Sequence, residues 1–142
     1  MVLPKVGTAP LFTQLPLGMR LREGATFANF YPGVNRDTVR LLQDEISAER
    51  ESFIYLWGSP GTGKTHLLQA LCHLIATRGY PTAYLPLREA AHFSPEVLEG
   101  LEHLALVVVD DVDAVARDTA CEAALFHIYN RVREKSGRLM MA

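Results

Sequence analysis

Apolar and polar positions alternate with two different periods along the chain, which predicts strands and helices that follow one another. Apolar residues dominate residues 53–57 and 82–87, and they fill residues 104–109 completely. A short continuous apolar run is typical of a parallel strand buried on both faces. Residues 138–142 begin a fourth strand, which we expect to pair between the first and the third.

Between these strands, apolar residues recur at helical spacing. The predicted helices span residues 35–49, 64–76, 94–101 and 118–135. Asn35 or Asp37 should cap the first helix, and Asp118 or Thr119 the last. Strands that alternate with helices around a buried parallel strand predict an α/β fold, a three-layer sandwich with a mainly parallel sheet.

The loop between the first strand and the second helix fills the pattern G-x-x-x-x-G-K-[ST]. It reads Gly58-Ser59-Pro60-Gly61-Thr62-Gly63-Lys64-Thr65. Such a loop turns backbone N–H groups toward phosphate, and its glycines let the main chain approach the oxygens. Lys64 would reach the β- and γ-phosphates, and the Thr65 hydroxyl would ligate a bridging Mg²⁺ ion. The loop therefore predicts a site for a nucleoside di- or triphosphate.

Two carboxylates, Asp110 and Asp111, follow directly after the buried strand at residues 104–109. The carboxyl ends of parallel strands are where an open α/β sheet binds ligands. An aspartate pair in this place, taken alone, is typical of a turn or a helix cap. With a phosphate loop on the same chain, we predict that Asp110 holds Mg²⁺ through water. Asp111 would orient the attacking water, and Lys64 would assist catalysis.

Two stretches ahead of the phosphate loop each allow two interpretations. The aromatic residues Phe27, Phe30 and Tyr31 would cover a nucleobase or pack in the core. Residues 1–24 carry prolines and glycines without periodicity, which predicts a flexible leader before a domain at residues 25–142. Within this leader, the peptide at residues 14–17 would lie in an apolar groove of another protein or fold back as a linker.

Composition limits the function classes. A chain of 142 residues with a formal charge of −2 predicts one domain that contacts nucleic acid only through a local patch or a partner. Cys72 and Cys121 lie in predicted helices without metal or redox spacing, and neither His92 nor His103 has ligand-like neighbours. No segment is typical of a signal peptide or a membrane span, so we expect a cytoplasmic protein without membrane contact.

Four motifs together resemble the DnaA branch of the AAA+ P-loop ATPases. They are the loop and helix GTGKTHLLQA at residues 61–70, the lead-in TFANF at 26–30, the Walker B stretch VDDVD at 109–113, and the helix LFHIYN at 125–130. The resemblance implies an AAA+ fold that binds ADP or ATP with Mg²⁺. It also implies that Phe30, Tyr31 and His66 join the nucleotide contacts.

Within this branch, the chain is similar to the regulatory inactivators of the Hda type. No large domain precedes Thr26, and Gln14-Leu15-Pro16-Leu17 resembles their clamp-binding peptide. The resemblance implies that Gln14, Leu15 and Leu17 bind the DNA polymerase III sliding clamp. It further implies DnaA as a partner, whose bound ATP is hydrolysed, DNA contact only through the clamp, and self-association.

The end of the chain at Ala142 departs from the family pattern. Members continue through sensor 1, an arginine finger, a fifth strand and a helical lid, so we expect a truncated chain that holds nucleotide but hydrolyses it poorly. Two alternatives stay open. One is an AAA+ ATPase of the helicase-loader type, such as DnaC or a transposition helper, and the other is a P-loop domain with a purely structural role.

Overall fold

In the computed structural model, which describes residues 24–44, 52–89 and 94–142, four strands form one parallel sheet. The strands are β1 (Ser52–Tyr55), β2 (Thr82–Pro86), β3 (Leu106–Asp110) and β4 (Arg138–Met141). Their order in the sheet is β1-β4-β3-β2, and every pairing is parallel. The predicted place of the fourth strand, between the first and the third, is therefore confirmed.

Helices α1 (Arg36–Asp44), α2 (Lys64–Thr77) and α3 (Thr119–Glu134) cover the two faces of this sheet. Asp118 caps α3 as predicted, because its carboxylate accepts hydrogen bonds from the N–H groups of Ala120 and Cys121, each 3.1 Å long. The chain enters α1 through a 3₁₀ turn at Gly33–Asn35. Asp37 then lies inside the first turn of α1 and not at its cap. The predicted end of this helix falls outside the described residues.

Strand β3 shows why the sandwich has three layers. Leu106 and Val108 pack on the face that α1 and α2 cover. Val107 and Val109 point to the opposite face and pack against α3. Each of these four side chains is fully buried. An uninterrupted apolar strand thus serves two cores, and this places the polar residues that follow β3 at the rim of the sheet.

Two predicted elements differ from the structure. The short helix expected at residues 94–101 is a pair of 3₁₀ turns, Pro95–Leu98 and Leu101–His103. Gly100 separates them with a φ of 80°, a left-handed conformation that no helix can continue through. Strand β1 ends at Tyr55, whereas the apolar pattern extends to Trp57, whose side chain is 85% exposed.

Several other expectations concern single residues. Cys72 and Cys121 are both buried free thiols. Pro86 ends β2, which is an edge strand of the described sheet. The side chain of His103 is exposed, His92 lies outside the described residues, and so does the leader peptide at residues 14–17. Within the described residues, the helices are too short or too polar to cross a bilayer.

Candidate nucleotide-binding site

The phosphate loop connects β1 to α2 at the carboxyl edge of the sheet. Gly61 and Gly63 adopt left-handed backbone conformations, with φ values of 80° and 90°, and Gly63 is the residue from which α2 starts. The Thr62 hydroxyl donates to the Ser59 carbonyl over 2.9 Å and closes the turn. Because the first N–H groups of a helix lack intrahelical acceptors, the start of α2 offers donors and a positive dipole end to an anion.

Lys64 and Thr65 are the first two residues of α2 and line the same cavity. The Lys64 ammonium donates to the carbonyl oxygens of Gly58 at 2.8 Å and Ser59 at 3.1 Å. The loop carbonyls therefore hold this cation beside the cavity. A phosphate chain bound there would offer stronger acceptors and would compete for it.

The lead-in segment contacts the first turn of α2 through His66. The segment itself is a closed turn, in which the Thr26 N–H and hydroxyl donate to Asn29 Oδ1 over 3.0 and 2.9 Å, and the Asn29 side-chain amide donates to the Gly24 carbonyl. His66 Nε2 then lies 2.8 Å from the Thr26 carbonyl oxygen, so that ring nitrogen carries the proton. The Phe30 ring packs against the His66 ring at a tilt of 41°, with the ring centroids 5.4 Å apart.

Asp110 ends β3 with only 2% of its surface exposed, and both of its carboxylate oxygens accept hydrogen bonds. The Tyr84 hydroxyl donates to Oδ2 over 2.8 Å, and the Asp111 N–H donates to Oδ1 over 2.9 Å. A buried carboxylate needs such partners, because an isolated charge in the interior is very costly. These two bonds fix the direction of the Asp110 carboxylate.

Tyr84 lies on β2 and links Asp110 to helix α2. Gln69 of α2 donates from Nε2 to the Tyr84 oxygen over 3.1 Å, and its own Oε1 is buried without a partner. Burial raises the pKa of the Tyr84 hydroxyl well above its usual range, and the Asp110 charge raises it further. The phenol thus stays protonated and keeps donating to Asp110.

We expect Tyr84→Phe to lower the free energy of unfolding by about 1–3 kcal/mol. The substitution keeps the ring but leaves Asp110 Oδ2 and Gln69 Nε2 without their shared partner. Urea denaturation measures the loss. Tyr80→Phe is the matched control because that ring is 53% exposed. Equal stability of the two variants would contradict a structural role for the Tyr84 hydroxyl.

Asp111 follows Asp110 in a left-handed conformation with a φ of 55°, and its carboxylate pairs with Arg88. Arg88 Nε lies 3.3 Å from Asp111 Oδ1, and the other end of the guanidinium lies 2.9 Å from Asp113 Oδ2. Asp111, and then Asp113, raise the pKa of Arg88 above its usual value. Sequence reasoning missed Arg88, although its place just after a parallel strand was a usable signal.

These groups surround one cavity of about 720 Å³, a volume within the range of small-molecule sites. Its lining contains the predicted residues Gly58, Pro60, Gly61, Gly63, Lys64, Thr65, His66, Asp110 and Asp111, together with Trp57, Gln69 and Arg88. Ser59 and Thr62 lie in the same loop and take part in its internal hydrogen bonds. Trp57, Gln69 and Arg88 were not predicted as site residues.

The two predicted aromatic contacts are placed differently. Phe30 packs against the core cluster under α2 and touches Gly63 and His66. Tyr31 is 87% exposed and is not part of the cavity lining. Contact of either ring with a base stays a prediction, and the structure favours core packing for Phe30.

The donor set suits Mg²⁺ that is shared with a phosphate chain. Within the described ranges, no three His, Cys, Asp or Glu side chains converge as metal ligands. Magnesium usually takes one or two protein oxygens and completes its shell with phosphate and water. The Thr65 hydroxyl and the Asp110 carboxylate on the cavity wall are the oxygens that would hold it, and Mg²⁺ would there neutralise phosphate charge.

Comparison with known proteins agrees with this geometry. The family model of the bacterial DnaA ATPase domain matches residues 21–142. The solved replication initiator DnaA bound to AMPPCP and single-stranded DNA is similar, with a TM-score of 0.73, 25% identity, and coverage of 86% of this chain and 42% of that one.

Two further solved structures share the fold. Domain III of the Thermotoga maritima replication initiation protein DnaA gives a TM-score of 0.67 at 22% identity, over 87% of this chain and 57% of that one. DnaI gives a TM-score of 0.67 at 20% identity, over 85% and 72%. The chain thus spans less than half of the first DnaA structure and more of the other two.

Proposed function

The chain belongs to the bacterial DnaA ATPase-domain family, and we propose that within this family it is a nucleotide-binding regulator of replication initiation of the Hda type. In this proposal, residues 25–142 form the AAA+ domain and bind ADP or ATP with Mg²⁺. The leader at residues 1–24 binds the sliding clamp, and the chain on the clamp promotes hydrolysis of DnaA-bound ATP. DNA is contacted through the clamp.

The observation that carries the nucleotide part of this proposal is the shared cavity of the phosphate loop and the end of β3. Lys64 and Thr65 face it from one side, and Asp110 and Asp111 from the other. This is the arrangement that phosphoryl-transfer proteins use to hold a phosphate chain and its metal. The similar DnaA structure is bound to the nucleotide analogue AMPPCP.

Two features support the clamp part. Gln14, Leu15 and Leu17 match the clamp-binding peptide of the inactivators in sequence. The leader also joins the domain at the nucleotide site, since Ala25 lines the cavity and Thr26 binds His66. Seven residues lie between Leu17 and Ala25, so the two Cα atoms are at most about 29 Å apart along an extended chain. A clamp held by this peptide would therefore lie close to the nucleotide.

We expect the full chain to bind purified sliding clamp, and the double variant Gln14→Ala/Leu15→Ala to bind it at least about tenfold more weakly. The reason is that an extended peptide in an apolar groove gains its affinity from a few anchor side chains. Surface plasmon resonance measures both affinities. The double variant Leu11→Ala/Thr13→Ala, in the same leader but outside the peptide, is the control.

A second measurement connects the clamp to the proposed activity. The assay mixes the full chain with the clamp loaded on DNA and with ATP-bound DnaA. It follows the loss of DnaA-bound ATP for the intact chain and for the Gln14→Ala/Leu15→Ala variant. Unchanged clamp binding in the Gln14→Ala/Leu15→Ala variant would refute the partner assignment. ATP turnover stimulated by DNA without clamp affinity would instead favour the helicase-loader alternative, and absence of nucleotide affinity would favour a structural role.

A further inference from the structure

Arg88 is a cation of the cavity wall that neither the phosphate-loop pattern nor the Asp110-Asp111 pair accounts for. It follows β2, reaches the end of β3 and lines the cavity. Its guanidinium bridges two carboxylates, with Nε 3.3 Å from Asp111 Oδ1 and the terminal nitrogen 2.9 Å from Asp113 Oδ2. One guanidinium thus contacts carboxylate oxygens of both Asp111 and Asp113.

The contact with Arg88 restrains Asp111, the residue that we predict to orient the attacking water. Asp111 holds a left-handed backbone conformation, which costs energy in a residue other than glycine and requires support from its surroundings. Its N–H is fixed by Asp110 and its carboxylate by Arg88. The carboxylate oxygen that faces Arg88 is then held by a cation and competes poorly as an acceptor from water.

The charges that line the cavity indicate that Arg88 also affects the binding of a divalent cation. Asp110, Asp111 and Asp113 line it together with the cations Lys64 and Arg88. Arg88 is the cation that contacts the acidic residues, whereas Lys64 is bound to loop carbonyls. A positive charge within a few ångströms of carboxylates opposes the approach of a divalent cation, and screening by salt weakens this effect at a partly exposed site.

We propose that Arg88 is a positioning residue that restrains Asp111 and weakens the binding of divalent metal at the end of β3. This inference rests on the proposed nucleotide site and adds to it a built-in control of the metal requirement. Arg88 also adds positive charge beside the bound phosphates. Removing it should therefore have opposite effects on metal binding and on metal-free nucleotide binding.

The test compares the intact chain with Arg88→Gln, Arg88→Lys and the control Arg78→Gln. Arg78 is an exposed arginine at the far end of α2, so its substitution removes the same charge away from the cavity. Isothermal titration with AMPPCP at increasing Mg²⁺ gives the half-saturating Mg²⁺ concentration, and titration in EDTA gives the metal-free affinity. Circular dichroism checks that each variant is folded.

For Arg88→Gln we expect the half-saturating Mg²⁺ concentration to fall about three- to tenfold while the metal-free affinity for AMPPCP also falls. Both changes should shrink at about 0.5 M KCl. Arg88→Lys, which keeps the charge, should restore both values toward those of the intact chain. Arg78→Gln should match the intact chain. This crossed pattern differs from a loss of structure, which would lower both affinities.

Mn²⁺ binding to the nucleotide-free chain, followed by electron paramagnetic resonance, provides a second readout, and Arg88→Gln should bind Mn²⁺ more tightly. If the intact chain binds AMPPCP and Arg88→Gln shows the same Mg²⁺ dependence, the role of Arg88 is refuted and the nucleotide site stands. If the intact chain binds no AMPPCP at any Mg²⁺ concentration, the nucleotide site itself is refuted and this inference with it.

Discussion

Replacing Lys64 by alanine is expected to weaken the binding of ATP and ADP to the chain by about 100-fold or more. The ammonium group of Lys64 is held by the carbonyl oxygens of Gly58 and Ser59 inside the phosphate loop. The ammonium group therefore already lies in the loop, and it can exchange these carbonyl oxygens for the stronger acceptors of a phosphate chain. Charge-assisted hydrogen bonds are the strong ones, and a polyphosphate offers Lys64 several acceptors.

Asp111→Asn is the matched comparison, because it changes a charge on the opposite wall of the same cavity. The proposed role of Asp111 is to orient water, so its amide variant should bind nucleotide as the intact chain does. Isothermal titration measures both affinities, and the fluorescence of Trp57 gives an independent signal, since this only tryptophan lines the cavity. An equal loss of affinity in the two variants would contradict these roles.

The backbone of the site could be predicted from sequence because each of its parts is a local pattern. The apolar run that becomes β3 marks a strand with two buried faces, and the polar residues after it therefore lie at the sheet rim. The phosphate-loop pattern fixes a turn and a helix start within eight residues. Parallel pairing of β3 and β4 then completes the edge at which both parts meet.

The connections across the site could not be predicted in this way. Tyr84 reaches Asp110 over 26 positions of sequence, and Arg88 reaches Asp113 over 25. Which of several polar side chains at a sheet edge meet depends on register and rotamer, and no local pattern encodes either. The register that pairs Tyr84 with Val108 and Pro86 with Asp110 brings these side chains together.

The contact between Phe30 and Gly63 is also one that no local sequence pattern predicts. Of the substitutions considered, Gly63→Ala should lower the free energy of unfolding most. A methyl group on Gly63 would stand 2.5 Å from Phe30 Cε2 and 3.1 Å from Cζ. The residue also has a φ of 90° at the start of α2. Gly63→Ala should therefore lower the free energy of unfolding by about 2–4 kcal/mol, as the sum of backbone strain and overpacking.

Gly61→Ala separates these two causes. Gly61 has a similar φ of 80°, but a methyl group there would meet nothing within 4 Å. We expect it to cost only the strain, about 1–2 kcal/mol. Urea denaturation of both variants measures the difference, which reports the contact with Phe30.

A double-mutant cycle with Phe30→Leu then tests that contact directly, since the smaller side chain lacks the ring atoms that the new methyl group would meet. Gly63→Ala should cost about as much as Gly61→Ala in the Phe30→Leu background, because only the strain remains. The same cost in both backgrounds would show that Phe30 does not restrict residue 63. A reduced cost would mean that the lead-in segment holds the phosphate loop in shape, so that glycine at position 63 serves the packing of Phe30 as well as the turn.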